Sequence, residues 1–185
     1  PEGPPPGAEK AALVVLLLDR SLANPYSGAL DHPCARLQDQ ANELLKQVSR
    51  LKEGAVDVAL VSYGIDAAGQ NEVRDTFEGP LAGQSLVRHG DLPAAALRVE
   101  EFSEEVSNGV GGLVTRTVKK PIYFDLEPTA QAPPLAGFAA AARLAEAWCL
   151  RHPAPCLPPV VLHLTRGGAD PGELELAAGR LRDVS

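Results

Sequence analysis

Hydrophobic positions along the chain fall into runs and stripes of recognisable period. Ala11 to Leu18 reads AALVVLLL and ends at Asp19, and Val160 to Thr165 reads VVLHLT. A strand with one face in water alternates apolar and polar residues, so unbroken apolarity predicts burial on both faces, as at the centre of a parallel sheet. Val56 to Tyr63 (VDVALVSY) predicts a further strand, with Glu72 to Phe77 as a short strand beside it. From Cys34 onward, Leu37, Ala41, Leu44, Leu45, Val48 and Leu51 recur at helical spacing opposite Gln38, Asn42, Glu43 and Lys46, and Gly54 closes the helix. Leu92 to Val106 reads as a second helix with mixed faces marked by Leu97, Glu101 and Glu104, followed by a flexible loop, NGVGG, at 108–112. Residues 113–126 predict one or two extended segments ending in Ile122-Tyr123-Phe124-Asp125-Leu126. An Ala-rich helix over 135–150 carries a stripe of Phe138, Ala142, Ala145, Trp148 and Cys149, and its small residues predict a close approach to the sheet. A last helix begins near Pro171 with Leu174, Ala177, Ala178 and Leu181.

Strands alternating with helices predict an α/β fold: a three-layer sandwich with a mostly parallel central sheet and helices on both faces, of the Rossmann-like class. A length of 185 residues suits one domain, here 11–185, after a disordered Pro-rich leader at 1–10 (PEGPPPGAEK). The formal net charge of −7 argues against a nucleic-acid partner, because phosphate neutralisation needs a basic face and the longest basic run is Lys119-Lys120, read as a solvated loop or strand end. No apolar stretch reaches the roughly 20 residues of a membrane span. The N-terminus lacks a basic region followed by an apolar core, and three cysteines, Cys34, Cys149 and Cys156, do not form a disulfide framework, so a cytoplasmic address is expected. Cys149 and Cys156 flank a turn and would bridge only in an oxidising compartment; free thiols are the expectation. The chain contains no Met and begins at Pro1, the pattern of a processed product or a fragment.

In such sheets ligands bind where loops leave the carboxyl ends of the strands. Three loops are expected to converge there: Asp19 to Pro33, Pro128 to Pro134, and Thr165 to Asp170. LLLDRSLAN, EPTAQAPPLAGFAAAARLAEAW and PPVVLHLTRGGADPGE, in that order, resemble the motif segments of a von Willebrand factor type A (VWA) domain, with the likeness running from Leu13 to Leu181. The resemblance implies a metal-ion-dependent adhesion site, in which an Asp-x-Ser-x-Ser motif, a Thr and a later Asp hold Mg²⁺ through oxygens, as a hard cation requires. Asp19 and Ser21 stand at the first two positions, but Ala23 occupies the third, Pro133 the Thr position and Arg166 the last Asp position. Thr129 substitutes only if its loop is re-registered. A cation at Arg166 repels Mg²⁺ and is suited to pair with Asp19. These departures imply a lost metal site, no cofactor, and a non-catalytic protein-interaction or scaffold module, since the family's bacterial members often accompany multi-component systems. The alternative is weak Mg²⁺-dependent ligand binding through Asp19 and Ser21. Candidate binding residues are Asp19, Ser21, Asn24, Tyr26, Ser27 and Arg166, with Tyr26 as an aromatic anchor, although Asn24 to Gly28 also reads as an ordinary polar turn. The family continues with further strands where this chain stops at Ser185, so the domain is expected to be C-terminally incomplete. The strand edge at Val160 is then open to another chain or to self-association.

Enzymatic alternatives find little in the residues. Asp19 after a buried strand matches the nucleophile position of haloacid-dehalogenase-like phosphatases, but the general-acid position two residues on is Ser21. There is no phosphate-binding Gly-rich loop ending in Lys-Ser/Thr and no Gly-x-Ser-x-Gly elbow. His32, His89, His152 and His163 are scattered; His163 is expected as a hydrogen-bonded core or sheet-end residue, and Trp148 in the core.

Overall fold

The first strand, β1 (Ala11–Asp19), lies inside the sheet, as its apolar run predicts. The computed structural model describes residues 11–21, 34–51, 55–152, 156–165 and 171–182. Helix α1 (Ala35–Val48) is followed by strands β2 (Ala55–Ile65), β3 (Asn71–Asp75) and β4 (Val87–Arg88). The strands β5 (Arg98–Ser107) and β6 (Leu113–Ile122), helix α2 (Pro134–Arg151), strand β7 (Val160–Leu164) and helix α3 (Pro171–Arg182) complete the order. The expected leader at 1–10 and the helix-closing Gly54 lie outside the described residues. No helix is long and apolar enough to cross a membrane among the described residues.

The molecule is mixed α/β. Its central sheet runs β3-β2-β1-β7, with β4 also paired to β2. β1 is parallel to β2 along its whole length and parallel to β7 on its other side, whereas β3 and β4 are antiparallel additions to β2. Alternation along β1 separates two cores. Leu16 and Leu18 join Leu37, Ala41 and Leu45 of α1, together with Tyr123 and Phe124. Leu13, Val15 and Leu17 join Phe138, Ala141, Ala145 and Trp148 of α2 and Ala177 of α3.

Three expectations are corrected. First, Leu92 to Val106 is not a helix. Its start is a short 3-10 segment, His89–Ala94, and the rest is β5, paired antiparallel with β6. Gly109 and Gly111, with φ of 78° and 89°, turn the chain between them, and Asn108 Oδ1 accepts from the backbone N–H of Val110 and Gly112. Register sets opposite charges against each other: Glu104 pairs with Arg116, and Glu101 with Lys119 at 3.1 Å. These cross-strand pairs outweigh the helix preference of a Glu-rich segment. Second, β7 is not buried on both faces, with Val160 49% and Leu162 38% exposed; it stands at the sheet edge among the described strands, as expected of the Val160 strand. Third, Gln38 and Asn42 do not sit on a solvated face of α1. Asn42 is fully buried, accepting from Tyr123 N–H at 2.8 Å, and Gln38 accepts from Leu126 N–H at 2.8 Å. These two amides satisfy backbone donors of the segment leaving β6, which would otherwise be lost to water.

At the start of β2, Asp57 is a buried carboxylate. It accepts from Trp148 Nε1 at 2.8 Å and pairs with Arg88 at 3.1 Å, while His152 stacks on Trp148 with ring centroids 4.4 Å apart. The three cysteines are free thiols, as expected, with Cys34 buried.

The small residues of α2 do bring it close to the sheet. A Cβ on Gly137 would lie 2.4 Å from Tyr63 Cδ1 and 2.7 Å from Cγ. In an open helix Gly→Ala is favourable by ~1 kcal/mol. Here overpacking against a buried ring, costing roughly 1–3 kcal/mol, should win. Gly137→Ala is therefore expected to lower the urea midpoint, and an unchanged or raised midpoint would show that the helix-to-sheet spacing is slack.

Candidate functional site

The carboxyl ends of β1 and β7 and the loop before α2 converge, as the loop argument predicts. Asp19 closes β1 and is 2% exposed. One carboxylate oxygen accepts the Ser21 backbone N–H at 2.8 Å, and the other accepts the Thr165 hydroxyl at 2.7 Å. The carboxylate therefore caps its own loop and clips the end of β7 to the end of β1. Ser21 bridges in parallel to Thr129, whose N–H donates to the Arg20 carbonyl at 2.8 Å. Thr129, rather than Pro133, thus lies beside the first loop; Pro133 is the residue that precedes α2. Thr129 Oγ1 donates to the Gln131 carbonyl at 2.7 Å, which fixes the loop. Gly64 makes room for this arrangement, because a Cβ there would stand 2.5 Å from Thr129 Oγ1.

Arg20, unmarked by the sequence reading, is the unexpected member. It continues the β1 ladder, donating its N–H to Tyr63 O at 3.1 Å, yet its side chain is only 2% exposed. Its guanidinium reaches over Gly64, 3.2 Å from where a Cβ would be, and donates to Glu72 Oε2 at 2.7 Å. Glu72 is shared with Arg74 at 2.8 Å, and Arg74 also faces Glu127 at 3.6 Å. Arg74 first and Arg20 second hold the Glu72 carboxyl below its ordinary range. Arg20 Nε is buried without a partner among the described residues, so this cation is held at some cost and needs Glu72.

Beneath Asp19 lies a second polar pair. Tyr63 Oη and His163 Nε2 are hydrogen-bonded at 2.8 Å, and Phe138 meets the imidazole edge-on. Burial, then the Asp19 charge, raises the Tyr63 phenol above its ordinary value. Burial lowers the His163 imidazole, against an opposing pull from Asp19. Both groups are thus held neutral near pH 7. His163, expected as a hydrogen-bonded core or sheet-end residue, is half-buried and bonded to Tyr63 near the end of β7.

Of the predicted binding residues, Asp19 and Ser21 stand together at this point, while Asn24, Tyr26, Ser27 and Arg166 lie outside the described residues. Sequence reasoning passed over Arg20, Glu72, Tyr63 and Thr165 as partners. The one local signal was a cation following directly on an apolar strand, where burial is expected to continue. Among the described residues no three His, Cys, Asp or Glu side chains gather closely enough to hold a metal ion. No protein-family model matches the chain, and no curated protein matches it.

The depressed imidazole has a thermodynamic consequence. Between the folded value and the ordinary 6.5, the unfolded chain binds the proton that folded His163 refuses. Stability therefore rises with pH across that window and is lost as pH falls below 6.5. Glu72 and Glu43 act in the same direction, but only below 4.5. Urea unfolding between neutral pH and about pH 5 should show declining stability, flattened in His163→Gln. An unaltered slope in that variant would assign the decline elsewhere.

Proposed function

We propose that the chain is a VWA-like three-layer α/β domain whose metal site has decayed, acting as a non-catalytic protein-binding or scaffold module through its strand-end loops. The observation that carries this reading is the state of Asp19. Both oxygens of the Asp19 carboxylate already accept hydrogen bonds from the chain itself. A buried guanidinium lies beside Thr129 over Gly64, where it opposes a divalent cation. The residues present do not fit a hard ion that wants several oxygen ligands and uncompensated negative charge. A phosphatase reading of Asp19 has no support in the position two residues on. Ser21 offers no carboxyl group there, and its N–H holds Asp19 in place. Asn24, Tyr26, Ser27 and Arg166 complete the proposed binding loops, and a cytoplasmic address suits three free thiols.

Titration calorimetry with Mg²⁺ and with Mn²⁺ is expected to give no saturable heat. Saturable binding that is abolished by Ser21→Ala would replace this reading with the alternative, weak metal-dependent ligand binding through Asp19 and Ser21.

The open edge of the sheet bears on partners. β7 pairs only with β1 among the described strands and exposes Val160 and Leu162, so we also propose that this edge meets another chain, including a second copy. Sedimentation should show concentration-dependent association that Val160→Lys suppresses. A single monomeric species throughout the micromolar range would remove self-association from the proposal.

A further inference from the structure

A second surface, apart from the strand-end loops, runs along the flank of α2. Between α2 and β3 lies a groove of about 520 Å³ with Val61, Val73, Leu86 and Leu144 among its lining. Val73 is 37% exposed. The charged lining residues are Arg74, Arg143 and Arg151 against one carboxylate, Asp75. Asp75 accepts the Ser85 hydroxyl at 2.7 Å, and Arg74 is held by Glu72 and Glu127. Arg143 makes no ion pair among the described residues, and Arg151 Nε donates only to the Ala147 carbonyl of its own helix. Two uncommitted guanidinium groups thus border an apolar floor, in a chain whose net charge is −7.

The spacing narrows the occupant. Helical rise puts Arg143 and Arg151 ~12 Å apart along the α2 axis. In an extended chain, residues four apart are separated by ~13 Å and point to the same side, with the residue midway between them also on that side. We propose that this groove binds an extended acidic segment of a partner protein, lying along α2. Two carboxylates four residues apart meet Arg143 and Arg151, and an apolar residue midway between them packs over Leu86 and Ala147, which also line the groove. Bidentate geometry suits guanidinium to carboxylate, and the apolar contact gives the register that charge alone does not. Binding here is independent of what the strand-end loops hold.

The probe is a fluorescein-labelled peptide centred on Glu-Thr-Leu-Thr-Glu, read by fluorescence anisotropy against the full chain. Saturable binding is expected, weakened by salt. In the double variant Arg143→Glu, Arg151→Glu, whose sites are exposed and whose folding is checked by circular dichroism, affinity should fall by roughly tenfold or more. Ser21→Ala should leave it unchanged, which separates this surface from the strand-end site. A peptide with Lys in place of both Glu residues should not bind. No binding of the acidic probe, or equal binding by the charge-reversed variant, overturns the proposal. Replacement of the central Leu by Ser tests the floor, and undiminished affinity there would reduce the site to non-specific charge attraction and so also overturn it.

Discussion

β1 is the strand on which the other elements take their positions. It has a hydrogen-bonded neighbour along each edge and an apolar core against each face. A one-residue slip against β2 would exchange every side chain between the two cores, so the register from Ala11↔Ala55 to Asp19↔Tyr63 is strongly specified. The same parity carries to the end of the strand. Asp19 follows Leu13, Val15 and Leu17 onto the face of α2, above the Tyr63–His163 pair, and its burial there is why its oxygens must be satisfied by the chain's own donors.

What was readable in the sequence is what burial makes periodic. β1, β2, α1 and α2 each press an apolar face on the core, and their positions emerge from spacing alone. In the hairpin the extended reading of 113–126 agrees with β6, but β5 has no such signal, because most of it is solvated on both faces and its order comes from pairing with β6. Glu101 and Glu104 look helical until Lys119 and Arg116 are placed opposite them. Polar residues at interfaces are hidden for a related reason. Nothing in the spacing of Gln38 and Asn42 says that backbone donors 81 and 88 residues away need acceptors. Asp19 and Ser21 form a local motif and could be found; Arg20, Glu72 and Thr165 join them only through the sheet.

Electrostatics sorts the molecule into two kinds of charge. On the hairpin, opposite charges neutralise one another across the strands and leave little outward field. At the strand ends a cation is buried outright, held by Glu72 with Arg74 behind it. Isolated burial of a guanidinium is expensive, so the ion pair is a condition of the local fold rather than an addition to it. The loop containing Thr129 rests on that arrangement. This end of the sheet thereby gathers a neutral phenol, a neutral imidazole, a carboxylate bonded at both oxygens and a paired cation.

The Asp57 cluster lies at the other end of the sheet, near the start of β1, where Asp57 is opposite Leu13. Trp148 is the chain's single tryptophan, fully buried, its indole N–H on a carboxylate and its ring face against His152. The molecule thus carries one tryptophan chromophore at one defined address, alongside three tyrosines. Tryptophan emission reports on the joint between α2 and the amino-terminal ends of the strands. A change in tryptophan emission on binding at the strand-end loops would therefore mean that the disturbance had travelled the length of the sheet.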